Sequence, residues 1–147
     1  MLLLRSSVWG ALLLALLLPA AADAQKHPRY LRAYADLRAA QVLLRLHEEP
    51  AVARHLKRCD DEVEAAIQEI ERAAALDGRD SRKPSHVDPN LERRARFNRI
   101  RGLLETARAD IAGETDTPAA ARWRNLAFRR IDSALEALRR AQYEAKL

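Results

Sequence analysis

The side chains best suited to bind a metal ion in this sequence are four histidines and one cysteine, which fall into two groups. In the first group, His27 stands just before Pro28, and His86 stands two residues before Asp88. Each histidine thus precedes a predicted helix start. If consecutive helices pack antiparallel, His27, His86 and Asp88 meet at one end of the molecule, where imidazole and carboxylate groups can bind a transition metal or another ligand. The competing interpretation is that these residues are solvated helix flanks.

The second candidate group consists of His47, His55 and Cys59. His47 lies at the predicted end of the first helix, while His55 and Cys59 are one helical turn apart near the start of the second. Together they form a partial metal site. The alternative is that the histidines are ordinary helix-end residues and that Cys59 is a buried thiol that contributes packing without reactivity. A single cysteine also predicts a domain that depends on its core, because small exported domains that rely on disulfides carry even numbers of cysteines.

The sequence lacks the common catalytic and cofactor motifs. Covalent haem attachment needs Cys-x-x-Cys-His, which one cysteine cannot supply. The only methionine is Met1, and the Glu-x-x-His motif of di-iron bundles does not occur. Zinc-protease, nucleophile-elbow and glycine-rich phosphate motifs are also missing from the sequence. We therefore expect no enzymatic activity and no obligatory cofactor, while a bound transition metal, or haem held by two histidines, stays open.

The elements that must position these residues come from a duplicated helical hairpin. Residues 63–73 are similar to residues 131–141, and residues 30–44 show a weaker similarity to residues 97–111, at offsets of 67 to 68 positions. Two copies of a helical hairpin predict four helices. The predicted fold is therefore all-α, an antiparallel up-down-up-down four-helix bundle.

The second predicted helix has the clearest packing pattern. Its apolar residues alternate steps of four and three without a slip, which is a heptad seam typical of near-parallel helix packing. These residues are Val52, Leu56, Cys59, Val63, Ala66, Ile70 and Ala73. We predict a first hairpin at about residues 28–77, a linker at 78–88 and a second hairpin at about 89–144, whose first helix begins at Asp88-Pro89.

Residues 1–24 have the three parts of a signal peptide. Arg5 supplies the positive start, residues 8–18 form an apolar run of eleven residues, and Ala22-Asp23-Ala24 fits the cleavage site. An apolar run of that length is too short to span a bilayer. We therefore expect an exported protein, periplasmic or extracellular, with a single mature domain at residues 25–147 that does not span the membrane.

The charge of the chain limits the class of partner. The sequence has 26 basic and 21 acidic residues and a net charge of +5. A basic exported protein can bind an anionic component of the cell envelope, such as lipopolysaccharide, acidic glycan or phospholipid headgroups. The alternatives are a solvated surface of interspersed charges, or another envelope protein as partner. Export and the small number of aromatic residues argue against nucleic-acid binding.

The predicted mature N-terminus resembles a known group of proteins. Residues 27–40 begin His27-Pro28-Arg29-Tyr30-Leu31 and resemble the opening of small exported bacterial helical proteins of uncharacterised function. The similarity continues through residues 66–70, His86-x-Asp88 and residues 131–134. The resemblance implies export and a helical bundle, and it implies no activity. The sequence thus predicts a binding or structural module of the bacterial envelope, with a metal- or haem-binding protein as the alternative.

Overall fold

The computed structural model describes residues 28–74, 84–114 and 118–147. These ranges contain four α-helices and no strand, so the predicted all-α class is confirmed. The helices are α1 (Pro28–Leu44), α2 (Pro50–Ala74), α3 (Arg93–Ala112) and α4 (Pro118–Glu144). The predicted signal peptide, His27 and most of the predicted linker lie outside the described residues.

The heptad seam of α2 forms as the sequence predicts. All seven of its residues are buried, and Ile67 is buried beside them. The seam faces α4, whose buried stripe includes Ile131, Ala134 and Leu138. Because several of the facing residues are alanines, the two helices can approach closely, and the isoleucines and leucines fill the remaining volume.

Three of the four helices begin at a proline, whose missing N–H is not needed in the first turn. The exception is α3, for which the predicted start at Asp88-Pro89 is wrong. The Asp88 side chain accepts a hydrogen bond from the backbone N of Asn90 at 2.9 Å, which closes a local turn. The N-cap of α3 is Glu92, whose carboxylate accepts from the backbone N of Arg94 at 3.2 Å and of Ala95 at 3.3 Å.

The directions of α1 and α3 follow from ion pairs between them. Arg32, in the second turn of α1, pairs with Asp110 near the end of α3, with Nη2 and Oδ1 3.0 Å apart. Arg93, the first residue of α3, pairs at 2.7 Å with Glu48, which follows α1. Because the start of each helix meets the end of the other, α1 and α3 are antiparallel.

The same reasoning shows that α2 is antiparallel to both α1 and α4. The carboxylate of Glu64 in α2 accepts from Arg38 and Gln41 of α1, both at 2.9 Å. Glu62 of α2 pairs with Arg130 of α4 at 3.2 Å. Two further contacts agree with these directions. Arg45, just after α1, pairs with Asp60 of α2, and Arg72 of α2 lies over the ring of Trp123 in α4.

These directions overturn the predicted chain order of the bundle. Since α1 is antiparallel to both α2 and α3, the helices α2 and α3 run in the same direction, and the chain order is up-down-down-up. In the described residues, α1 packs against α2 and α3, and α4 packs against the same two helices. The duplicated hairpin fixes the helix directions within each hairpin but not between the two hairpins.

The connection between α2 and α3 therefore has to return along the bundle. Its described part, residues 84–92, begins beside the middle of α1, where Ser85 donates to the carboxylate of Asp36 at 2.8 Å and to the carbonyl of Ala35 at 3.2 Å. It ends where Arg93 meets Glu48. Val87 packs against the core on the way. The length of the connection is thus explained by the distance it has to cover.

The two ends of the bundle are named here for later use. The Glu48 end holds the end of α1, the starts of α2 and α3 and the end of α4. The Gly113 end holds the start of α1, the ends of α2 and α3 and the start of α4. At the Gly113 end, the backbone N of Arg29 donates to the Glu114 carboxylate at 3.0 Å.

Candidate functional site

The first candidate site requires α1 and α3 to start at the same end of the bundle, and the structure places their starts at opposite ends. α1 begins at the Gly113 end, whereas Asp88 lies four residues before the N-cap of α3, toward the Glu48 end. The premise that the first and third helices start at the same end is therefore wrong. His86 is exposed and follows Ser85 beside the middle of α1, and His27 lies outside the described residues. Ligand binding by either histidine stays a prediction.

The members of the second candidate group face different surroundings. His47 is exposed and lines a depression with Glu48 and Asp60, while His55 is half-buried and lines a separate one with α4. The Cys59 side chain is fully buried in the core. Within the described residues, no three His, Cys, Asp or Glu side chains are grouped so that they could hold a metal ion.

The environment of Cys59 opposes thiolate formation. Burial raises the pKa of the Cys59 thiol to about 12, and the nearby carboxylates of Asp60 and Glu62 add to the effect. The thiolate is the nucleophile and the metal-binding form of cysteine. At neutral pH the Cys59 side chain is therefore a neutral packing group in the heptad seam, as the sequence predicted.

We expect Cys59→Ala to lower the free energy of unfolding by about 1 kcal/mol or slightly more, as small core truncations do. The oligomeric state should not change. In the native protein, a thiol reagent at pH 8 should label Cys59 far more slowly than in guanidinium, where the unfolded chain serves as the control. Rapid native labelling, or a dimer on a non-reducing gel, would contradict this role.

A different group of residues stands out along the contact between α2 and α4. In the half toward the Gly113 end, charges on the two helices are complementary. Glu62 pairs with Arg130, and Glu69 pairs within α2 with Arg72 at 3.0 Å. The Arg72 guanidinium lies over the ring of Trp123 in α4, 5.1 Å from its centroid. This half of the contact thus satisfies its charges internally.

Toward the Glu48 end, α2 is basic, whereas α4 carries charges of both signs. Residues 50–58 of α2 contain Arg54, Lys57 and Arg58 and no acidic residue. The antiparallel packing places this segment opposite Arg139 and Arg140 of α4, with His55 beside them. Like charges on facing elements destabilise a contact. Here carboxylates of α4 lie among the arginines and offset their charges.

Arg58, Arg139 and Arg140 line two depressions together with three carboxylates of α4. One depression of about 330 Å³ is lined by His55, Arg139, Arg140, Tyr143 and Glu144. A second, of about 300 Å³, is lined by Arg58, Asp132, Ser133, Glu136, Ala137 and Arg140. Because Arg140 lines both, we treat them as one feature and call it the α2–α4 groove.

Glu136 is the carboxylate that pairs with both Arg139 and Arg140. Its carboxylate accepts from Arg139 at 2.8 and 2.9 Å and from Arg140 at 3.1 Å. Hydrogen bonds from Arg139 and then Arg140 lower the pKa of Glu136 to about 2, so the group is ionised at neutral pH. Both guanidinium groups are thereby held around one oxyanion. In the described part of the chain, the side chains of His55 and Arg58 make no hydrogen bond or ion pair.

Sequence reasoning singled out His55 but missed Arg58, Arg139, Arg140 and Tyr143. Two other basic residues, Arg93 and Arg96 at the start of α3, are both engaged by Glu48. The signal that could have found the groove is the charge order along α2, which is basic over residues 54–58 and acidic over residues 60–71.

Comparison of the chain with protein-family models, with curated proteins and with solved structures gives no match. The resemblance to small exported helical proteins therefore stays a prediction. Among the helices that the structure describes, none is long and apolar enough to cross a membrane.

Proposed function

We propose that this protein is an exported four-helix binding module that takes an anionic component of the bacterial envelope in the α2–α4 groove. The observation that carries the proposal is that the side chains of His55 and Arg58 on α2 have no hydrogen bond or ion pair among the described residues, and that they line the groove together with Arg139 and Arg140 of α4. A bound anion accepts hydrogen bonds from both walls.

The chemistry of the groove favours a phosphate or a similar oxyanion. Arginine presents several N–H donors in a planar fork, which matches carboxylate and phosphate groups. Arg139 and Arg140 already hold the Glu136 carboxylate in this way. Arg58 and His55, on the other wall, supply further donors. The groove thus has binding groups on both sides, and the proposal includes no bond-making or bond-breaking step.

Export is the second part of the proposal, and its support is the signal-peptide pattern of residues 1–24. The intact mass of the protein recovered from the periplasm or medium should correspond to a chain that begins at Gln25. Recovery of the whole chain with residues 1–24 retained in a membrane fraction would contradict export.

Anion binding can be tested with tripolyphosphate as the probe, by calorimetry on the exported protein at about 0.1 M salt. We expect binding that Arg58→Gln/Arg140→Gln weakens by about tenfold or more, since hydrogen bonds to charged groups are each worth about 1.5–3 kcal/mol. The matched control is Arg122→Gln/Arg129→Gln, which removes the same charge from exposed positions of α4 outside the groove. It should change the affinity by less than about twofold, because salt screens charges more than about 10 Å away.

Two results would contradict anion binding in the groove. One is a wild-type dissociation constant weaker than about 1 mM, which corresponds to a binding free energy of only about 4 kcal/mol. The other is an equal loss of affinity in the groove variant and in the control variant, which would show that only the total charge of the protein matters.

A further inference from the structure

The contact between α2 and α4 is approximately symmetric about its centre. Residues 50–54, Pro-Ala-Val-Ala-Arg, recur 68 positions later as residues 118–122, Pro-Ala-Ala-Ala-Arg, so the duplication includes the starts of both helices. Glu62 and Arg130 are also 68 positions apart, and they pair with each other at 3.2 Å. Equivalent residues of two antiparallel helices touch where an approximate twofold axis passes between them. Each end of the α2–α4 contact therefore has a counterpart at the other end.

The Gly113 end of this contact is covered by an indole ring. Trp123 of α4 is partly buried against the core, and the guanidinium groups of Arg72 and Arg122 lie 5.1 and 5.4 Å from its ring centroid. Arg72 also pairs with Glu69 of its own helix at 3.0 Å. A guanidinium is planar, so it can pair with a carboxylate through its edge and still present its face to a ring. The carboxylate thus holds Arg72 in place for the indole.

The Glu48 end has the equivalent arginine without the indole. The residue equivalent to Arg72 is Arg140, which pairs with Glu136 of its own helix at 3.1 Å. The residue equivalent to Trp123 is His55, whose imidazole is smaller than an indole. A depression of about 330 Å³ lies at this place, lined by His55 and Arg140 together with Arg139, Tyr143 and Glu144. The smaller side chain thus leaves open a space that an indole covers at the other end.

We infer that this depression binds the planar aromatic ring of a small ligand, seated beside Arg140 as the indole of Trp123 is seated beside Arg72. Burial of the ring and its stacking on the guanidinium supply the binding. The carboxylates of the groove do not oppose it, because an uncharged ring needs the face of an arginine and no net positive charge. The inference goes beyond the proposed function and does not depend on a bound anion, so an uncharged probe tests it separately.

The test is a titration of the exported protein with indole, followed by nuclear magnetic resonance. We expect saturable binding with a dissociation constant of about 1 mM, as is usual for a ligand of this size, and shifts at His55 and Tyr143. Cyclohexanol, which is uncharged and not aromatic, should bind about threefold more weakly or less well still, because it cannot stack on a guanidinium.

The role of Arg140 is tested by a pair of variants. Arg140→Gln should weaken indole binding by about fivefold or more, because it removes the stacking face. The matched control is Arg129→Gln, which removes the same charge from an exposed position of α4 outside the groove and should change the affinity by less than about twofold. The Arg140 side chain is 56% exposed, so both variants should fold as the wild type does, which circular dichroism can verify.

Exchanging the equivalent residues tests the place of the ring. His55→Trp supplies an indole from the chain itself, so it should weaken the binding of added indole by about tenfold or more and raise the Tm by about 2–5 °C. Trp123→His should open the equivalent space at the Gly113 end, so this variant should bind two indole molecules per chain where the wild type binds one.

The outcomes separate this inference from the proposed function. Binding of tripolyphosphate without binding of indole would overturn the ring site and leave anion binding intact. Indole binding without tripolyphosphate binding would support the ring site and contradict the proposed function. Indole binding that His55→Trp and Arg140→Gln both leave unchanged would overturn the inference, because the ring would then bind elsewhere. Indole binding that both variants weaken supports it.

Discussion

Replacing Ile70 with aspartate is expected to abolish the cooperative thermal unfolding transition of this protein. The Ile70 side chain is fully buried in the heptad seam of α2. An aspartate there would place a charge among apolar groups without a partner, at a cost above about 3 kcal/mol. Domains of this size are stable by only about 5–15 kcal/mol, so the loss is a large share of the total. Circular dichroism followed during heating measures it.

The neighbouring position gives a matched control for this change. Glu71 is next in the chain but lies off the seam and is only half-buried. Glu71→Ala should alter the free energy of unfolding by less than about 1 kcal/mol. The same contrast holds on α4 between Leu138→Asp, at a buried position, and Arg139→Ala, at an exposed one. If all four variants melt alike, the seam has been assigned to the wrong residues.

The seam of α2 could be predicted because its signal is local. An amphipathic helix brings residues three and four positions apart onto one face, so the pattern of apolar residues shows which face is buried. The proline at the start of α2 is also a local signal. The buried face of α1 is wider than a single stripe, since Ala39 and Leu43 are buried in addition to Ala33, Leu37 and Ala40. That helix packs against α2 and α3 and against the returning connection, which its own pattern does not reveal.

The relation between the two hairpins could not be predicted in the same way. It depends on contacts between residues far apart in the chain, such as Ser85 with Asp36 and Arg93 with Glu48. Neither contact has a signature in the local sequence. A short connection would have required α2 and α3 to be antiparallel neighbours, but the connection here is long enough to return along the bundle. The chain order therefore follows from tertiary contacts that only the structure shows.

The candidate site depends on that same relation. The groove joins α2 to α4, two helices that are not consecutive in the chain. His55 could be singled out because of its residue type, whereas Arg139 and Arg140 are two of many arginines. Their position opposite the basic segment of α2 becomes visible only when α4 is known to pack antiparallel to α2. The sequence shows the charge pattern of α2, but it does not show that α4 packs against this helix.

Glu48→Ala is expected to be the most destabilising change to a polar side chain in the described structure. The Glu48 side chain is only 6% exposed and accepts hydrogen bonds from Arg93 and Arg96 at the start of α3. The Arg96 side chain is 12% exposed. Removing the carboxylate would leave a largely buried guanidinium without a counter-charge, which typically costs about 3–5 kcal/mol. Urea unfolding followed by circular dichroism measures the difference.

The adjacent Glu49 provides the control. Its side chain is 70% exposed and its carboxylate lies 3.7 Å from Arg93, so Glu49→Ala should cost less than about 1 kcal/mol. Replacing both Glu48 and Arg96 with leucine should recover much of the lost stability, because a well-packed apolar pair can substitute for a buried ion pair.

The double-mutant cycle between Glu48 and Arg96 also tests the chain order of the bundle. In the up-down-down-up arrangement the two side chains are in contact, and their coupling energy should exceed about 1 kcal/mol. In an up-down-up-down bundle α3 would begin at the Gly113 end, a helix length away from Glu48. The two substitutions would then be independent and their effects would add. Additive effects within about 0.5 kcal/mol would therefore contradict both the ion pair and the direction of α3.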